Sequence, residues 1–376
     1  MAHASSGPDL LTELGITLPV LAAPMAGGAT TPALVIAAGR SGGLGLLAAG
    51  YKDVAALADQ VQAVRAAAVP FGVNLFAPNP DPISLEDYRA YARELQPEAD
   101  DYQLSLDLIA LREDDDSWHE KVDLLLADPV PVVSFTFGLP SDDVVAAFKK
   151  AGTLTVQTVT SAHEARRAAE AGVDALAVQA SAAGGHSGTL TPSIIPPERP
   201  LPDLLDEIAV AVSIPLIGAG GISRPRDVTD ALAAGAQAVS VGTALLRSDE
   251  SGASAVHQAA LVDPARAATV VTRAFTGRPA RALRNRFTDT YSGTTPSGYP
   301  AIHHLTSPLR KAAVDAGDVE RAHLWAADRA CRGQRRTRQT DPGPSRLPGV
   351  NGLVRQDRCS ARATMNHPLT KEPAPS

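Results

Sequence analysis

The sequence predicts an α/β fold in which eight parallel strands close into a (β/α)8 TIM-type barrel, with a helical lid formed by insertions. Three observations point there. Eight short apolar runs alternate with alanine-rich helical stretches between residue 19 and about residue 247. Most of these runs are Val, Leu and Ala without polar alternation, as strands covered on both faces require. Glycine-rich segments close the seventh and eighth runs, where barrel enzymes carry ligand-binding loops. Strand count alone does not establish closure, so an open doubly wound sheet is the alternative architecture.

The elements follow in order. Val20–Ala23 leads to a helix near Thr31–Gly39, and Leu44–Leu47 to one near Asp53–Ala67. Phe71–Asn74 follows, then Val132–Phe135 with a helix at Ser141–Ala151, and Leu154–Gln157 with a helix at Ser161–Ala171. Ala175–Gln179, Pro215–Ala219 and Ala238–Val241 complete the set. Ser161 and Glu164 have capping-box spacing, and Gly172 stops that helix. Ser223–Pro225 starts a helix that Gly235 ends. The barrel therefore occupies residues 1–250. Residues 78–118 make an overlong connection after the third strand, expected to act as a lid or binding segment. Its acidic run, Asp114 to Asp116, reads as a solvated loop and not as a metal site. Residues 251–327 read as mostly helical and are expected to cap the barrel mouth.

Composition narrows the function classes. With 44% hydrophobic and 20% charged residues, the chain reads as a soluble globular protein, and no apolar run is long enough to span a membrane. The N-terminus lacks the basic and apolar regions of a secretory signal, so a cytoplasmic location is expected. Of the net charge of −7, the segment 328–376 contributes +6, from 10 Lys+Arg against 4 Asp+Glu, and the remainder −13. An acidic body argues against nucleic acid as a partner. Cys331 and Cys359 both lie in the last segment, so the body has neither a disulfide framework nor a cysteine-based metal site.

The chemistry concentrates in a few segments. Ala183-Gly-Gly-His186-Ser-Gly188 follows the apolar run Ala175–Gln179. Gly184, Gly185 and Gly188 leave little side-chain bulk around a single titratable ring, as suits a flat ligand lying against backbone with one imidazole facing its reactive atom. Ile217-Gly-Ala-Gly-Gly-Ile222 closes the seventh run and Val241-Gly-Thr-Ala244 the eighth. Two such loops free backbone N–H groups for a phosphate, and a short helix after Thr243 would add its positive end. Pro24 and Met25 end the first run, Asn74 the third and Gln179 the sixth. A buried amide needs partners, which either the edge of a heteroaromatic ring or neighbouring backbone would supply. Together these groups suggest a ring-plus-phosphate ligand such as flavin mononucleotide.

On these motifs the chain resembles the nitronate monooxygenase family. The matching stretches are Ala23–Gly27, Phe71–Phe76, Val133–Gly138, Gln179–Thr189, Ile217–Ile222, Val241–Thr243, Phe275–Arg281 and His304–Arg310. Coverage runs from about residue 10 to about 326. The resemblance implies an FMN-binding (β/α)8 barrel with a helical lid that oxidises alkyl nitronates with O2 to carbonyl compounds and nitrite. By position, Gly220, Gly221, Gly242 and Thr243 would hold the phosphate. Met25, Asn74 and Gln179 would contact the isoalloxazine, beside Pro24, Gly184 and Gly185. His186 would hydrogen-bond a nitronate when protonated, or remove a proton from a nitroalkane when neutral. Partners would be a small-molecule substrate and O2, and the assembly a homodimer.

Two departures stand out. The family pattern Gln-Gly-x-Glu-Ala-Gly-Gly-His is here Gln179-Ala-Ser-Ala-Ala-Gly-Gly-His186, without the glutamate, and Thr136 stands where some relatives carry histidine. Relatives with the same barrel include NAD(P)H-dependent quinone and enoyl-acyl-carrier-protein reductases, which make an NAD(P)H-dependent flavin reductase the alternative function. A flavin-binding protein without turnover is the second. After Ala327 the resemblance stops and composition changes. A shifted reading frame or a disordered extension accounts for the basic, Arg/Pro-rich segment 328–376 better than a nucleic-acid-binding arm.

Overall fold

The computed structural model describes residues 9–328. Strands β1 (Val20–Ala22), β2 (Leu44–Ala48), β3 (Phe71–Ala77), β4 (Val132–Phe137), β5 (Leu154–Val159) and β6 (Ala175–Gln179) pair in parallel, each with the next. The chain leaves this sheet for β7 (Gly185–His186) and returns in β8 (Leu216–Ala219) and β9 (Ala238–Val241). Pairing of β9 with β1, Ser240 opposite Leu21, closes the barrel and excludes the open sheet.

The missing polar alternation has a direct cause. Every residue of β2 is buried, and in β4 all but Thr136. Successive side chains point to opposite faces of a strand. Leu46 and Val132 thus join Leu21, Leu44, Val156 and Ile217 in one buried cluster, while their neighbours Leu47 and Val133 join Val35, Leu57 and Phe148 in another. Seven helices follow or precede these strands, at Pro32–Arg40, Val54–Arg65, Trp118–Ala127, Asp142–Lys150, Ala162–Glu170, Leu201–Ala211 and Pro225–Ala233. Several of their starts use side-chain caps: Asp53 Oδ1 accepts from Ala56 N–H at 2.7 Å, and Asp227 Oδ2 from both Ser223 and Arg224 N–H at 2.9 Å.

The connection 78–118 contains a helix, Leu85–Asp100, and a 3-10 turn, Leu106–Leu108. Two local expectations need correction. The segment 251–327 has helices at Ala255–Ala260, Arg286–Tyr291 and Ala301–Asp315, but also two strands, β10 (Thr269–Thr272) and β11 (Ala280–Leu283). With β7 these make a three-stranded antiparallel sheet. The capping box at Ser161 is only half formed. Ser161 Oγ accepts from Glu164 N–H at 3.2 Å, but the Glu164 carboxylate is buried and turned elsewhere. Its Oε2 takes the Thr160 N–H and hydroxyl, and its Oε1 takes the Thr189 hydroxyl and Leu190 N–H, each of the latter at 2.7 Å. Glu164 ties the loop after β7 to the barrel because that loop brings it otherwise unpaired donors.

The two insertions pack on each other. Tyr88, Tyr91 and Leu95 share a buried cluster with Phe275, Phe287, Ile302, Leu305 and Leu309. Glu98 is held between Arg286 and Arg321 and accepts from Tyr291 at 3.1 Å, and these contacts, Arg286 foremost, pull its carboxyl down to about 2. Among the described residues no helix is long and apolar enough to cross a membrane.

Candidate active site

A cavity of about 550 Å³ lies between the barrel interior and the segment 303–327, within the range of small-molecule sites. Pro24, Met25, Asn74, Gln179, Gly184, Gly185, His186, Gly220, Gly221, Gly242 and Thr243 all line it. Residues from five strand ends and from β7 thus meet in one space, at the face where parallel barrels carry their loops.

At one end lie the glycine loops after β8 and β9. Gly220 and Gly221 take positive φ, 109° and 74°, and a Cβ on Gly220 would stand 3.0 Å from Ala180 O and Ala183 N. A side chain there would be both strained and crowded. Beyond Gly242, Thr243–Leu245 forms a short 3-10 turn. Thr243 Oγ1 accepts from Ala327 N–H at 2.9 Å, so its own proton is free to donate into the cavity.

At the other end, His186 is carried on β7, where it pairs with Ala280 of β11. Phe137, Tyr299 and Trp325 surround its ring at centroid distances of 5.7, 6.1 and 5.2 Å. Nε2 lies 2.9 Å from Thr276 Oγ1, which itself lies 3.3 Å from Arg278 O. A threonine proton directed to that carbonyl would leave Oγ1 to accept from His186 Nε2–H and put the ring's lone pair at Nδ1. Burial, then the charges of Arg278 and Arg310, push its pKa down to about 3. Burial in the cavity thus favours the neutral ring.

The two amides are satisfied largely by protein. Gln179 Nε2 donates to His186 O at 3.1 Å, and Gln179 Oε1 accepts from Gly188 N–H at 2.7 Å, so this side chain fixes the loop bearing the histidine. Asn74 Nδ2 donates to Ser134 Oγ and Thr136 Oγ1, each at 2.9 Å. The adjacent glycines have separate causes. A Cβ on Gly184 would stand 2.5 Å from the Ala326–Ala327 backbone, whereas Gly185 has open space but φ of 78°.

Sequence reasoning assigned no role to several residues at this cavity: Tyr51, His303, Arg310, His323 and Trp325. Tyr51 stacks on His303 at 4.0 Å, and its hydroxyl accepts from the Tyr299 hydroxyl at 3.2 Å. Thr276 and Arg278, just behind, belong to the stretch Phe275–Arg281, and Arg310 ends the stretch His304–Arg310. The motifs flagged these positions, but nothing local linked them to His186. The acidic run is also more structured than expected: Asp116 pairs with buried Lys121 at 2.7 Å and accepts from Tyr51 N–H, while Asp114 lies 3.0 Å from His304 Nε2. Among the described residues no group of three His, Cys, Asp or Glu side chains is placed to hold a metal ion.

Fold and cavity together define a (β/α)8 barrel with its site enclosed by a cap. The nitronate monooxygenase family model matches residues 9–339, and the chain belongs to that family. A probable nitronate monooxygenase of Staphylococcus aureus (strain MSSA476) is 37% identical over 326 residues, 84% of this chain and 90% of the relative. Among solved structures, nitroalkane oxidase from Streptomyces ansochromogenes is 41% identical with a TM-score of 0.83, covering 95% of this chain and 99% of that one. FabK from Thermotoga maritima is 25% identical with a TM-score of 0.69, over 94% and 98%.

Proposed function

We propose that the protein is an FMN-dependent nitronate monooxygenase, which oxidises alkyl nitronates and nitroalkanes with O2 to carbonyl compounds and nitrite. The observation that carries this reading is the single cavity joining the glycine loops after β8 and β9 to a neutral, buried His186. Its residues suit the cofactor. Gly220, Gly221, Gly242 and Thr243 would hold the phosphate through backbone N–H groups and the Thr243 hydroxyl. Pro24, Met25, Asn74, Gln179, Gly184 and Gly185 would border the ring. When bound, FMN supplies the electron acceptance that connects the substrate to O2.

The remaining work falls to the chain. A neutral His186, oriented by Thr276, takes the proton from the carbon next to a nitro group at Nδ1. A preformed nitronate needs no such step and is only positioned. Phe137, Tyr299 and Trp325 exclude water around the imidazole, and the segments 85–100 and 286–315 act as the lid.

The test is to release the cofactor by denaturation, identify it by chromatography, and follow nitrite formation from a nitronate in the intact protein. FMN release and nitronate-dependent nitrite are expected. Anaerobic reduction by NADPH and not by a nitronate would instead assign a reductase.

A further inference from the structure

No Asp or Glu side chain lines the cavity among the described residues, yet two cations do, Arg310 and Lys311. Lys311 is largely exposed and pairs with Asp315 at 2.5 Å. Arg310 is only 6% exposed. Its Nε donates to Thr306 Oγ1 at 3.0 Å, and its Nη2 donates to His303 O at 3.0 Å and lies 3.2 Å from His303 Nδ1. These partners are all neutral. Among the described residues no carboxylate pairs with Arg310, and the acidic groups it feels are only the Tyr51 and Tyr299 hydroxyls. Burial lowers its pKa to about 10, which still leaves it charged at neutral pH. A buried cation without a counter-ion is costly unless something entering the site meets it.

Its neighbours connect it to the histidine. His303, which Arg310 holds, stacks on Tyr51, and Tyr51 bonds Tyr299, a ring that also faces His186. Lys311 apart, the other groups lining the cavity near it are neutral, and the one comparable charge nearby, Arg278, lies behind the wall. Burial keeps His186, His303 and His323 neutral. Arg278 is packed over Phe137 at 4.1 Å; its Nε and Nη2 donate to the Ser187 and Thr189 carbonyls, its Nη1 is buried without a partner, and it does not line the cavity.

We infer that Arg310 is a specificity-determining residue whose guanidinium seats a small planar oxyanion beside His186. The anion class is one with two equivalent oxygens on a trigonal centre, a nitronate or a carboxylate of the same shape, which a guanidinium fork matches. Naming the natural anion a nitronate rests on the proposed function, whereas the need for an anion does not.

The test compares isobutyrate with neutral isobutyramide, binding to the flavin-loaded protein, by calorimetry and by the fluorescence of Trp325 at the cavity wall. Wild type is expected to bind isobutyrate at least ten times more tightly. Arg310→Met should weaken isobutyrate roughly 10- to 100-fold and leave isobutyramide unchanged, and Arg310→Lys should fall between. Equal binding of both ligands by wild type, binding of neither, or equal losses in Arg310→Met would overturn the assignment. Should Arg310→Met not fold, the wild-type preference and the lysine variant decide. An Arg310-dependent preference without nitronate turnover would uphold the anion seat and remove the oxidation reading. Turnover without that preference would do the reverse.

Discussion

His186 Nε2 lies 2.9 Å from Thr276 Oγ1, across a separation of 90 residues. Pairing of β7 with β11 makes the contact possible, since it sets Ala280 opposite His186 and brings the Thr276 turn under the ring. A ring nitrogen held this way has its tautomer and plane decided by its partner.

Thr276→Val should therefore keep flavin bound while lowering turnover roughly tenfold, the low end for a lost orienting partner. Thr276→Ser should restore most of it. Steady-state kinetics with flavin content measured alongside would decide. An unchanged rate in the valine variant would show that the ring is oriented by its aromatic neighbours alone.

His186→Asn should also retain flavin. Turnover of neutral nitroalkanes should fall by about 10²-fold or more, the scale of a lost general base, and turnover of preformed nitronates should fall much less. Equal small effects on the two substrates would remove His186 from the role of base.

Glu164→Ala should cost on the order of 3 kcal/mol, because it orphans donors on Thr160, Thr189 and Leu190 together. At roughly 2–4 °C per kcal/mol, the thermal midpoint should drop by several degrees. Amide exchange should rise in residues 187–191 before it rises in the barrel strands. A midpoint within one degree of wild type would show that water replaces the carboxylate.

Gly184→Ala and Gly185→Ala should fail differently. The first pushes against the Ala326–Ala327 backbone, and with it the Ala327 N–H that Thr243 accepts, so flavin affinity should weaken. The second places an L-residue at φ 78°, costing about 1–2 kcal/mol of stability with little steric overlap. Flavin dissociation constants and thermal midpoints for the two variants would separate these effects. A Gly184→Ala protein with wild-type flavin affinity would contradict the steric account.

Acid should destabilise the folded protein early. Burial holds His186 at about 3 and keeps His257, His303 and His323 below their ordinary value of 6.5. As pH falls through 6.5, the unfolded chain takes up protons that the folded chain refuses, so stability declines, by up to about 1.4 kcal/mol per pH unit for each group. Glu98, held near 2, adds to the loss only below its ordinary 4.5. The thermal midpoint should be nearly flat from pH 8 to 7 and fall by many degrees between pH 6.5 and 5. A level midpoint down to pH 5 would mean that these histidines are solvated in the folded state.

Much of the architecture was legible because it depends on short-range regularities. Buried parallel strands must be apolar on both faces, so Leu44–Ala48 and Val132–Phe137 announce themselves without alternation, and Gly172 and Gly235 mark helix ends by backbone freedom. The helices Leu85–Asp100 and Trp118–Ala127 were not legible, since a charged surface face and a long intervening loop blur the period. Segment 328–376 lies outside the described residues apart from Asp328, so the reading of that tail stands where the sequence left it. The grouping of Asn74, Gln179, His186 and the glycine loops on one cavity could be anticipated, because parallel strands deliver their ends to one face. Which groups those amides bond, that Glu164 serves the loop and not its own helix, and that Thr276 holds His186 could not. Each depends on contacts between residues far apart in the chain, and burial in that assembled interior, not residue type, sets the charge state of His186.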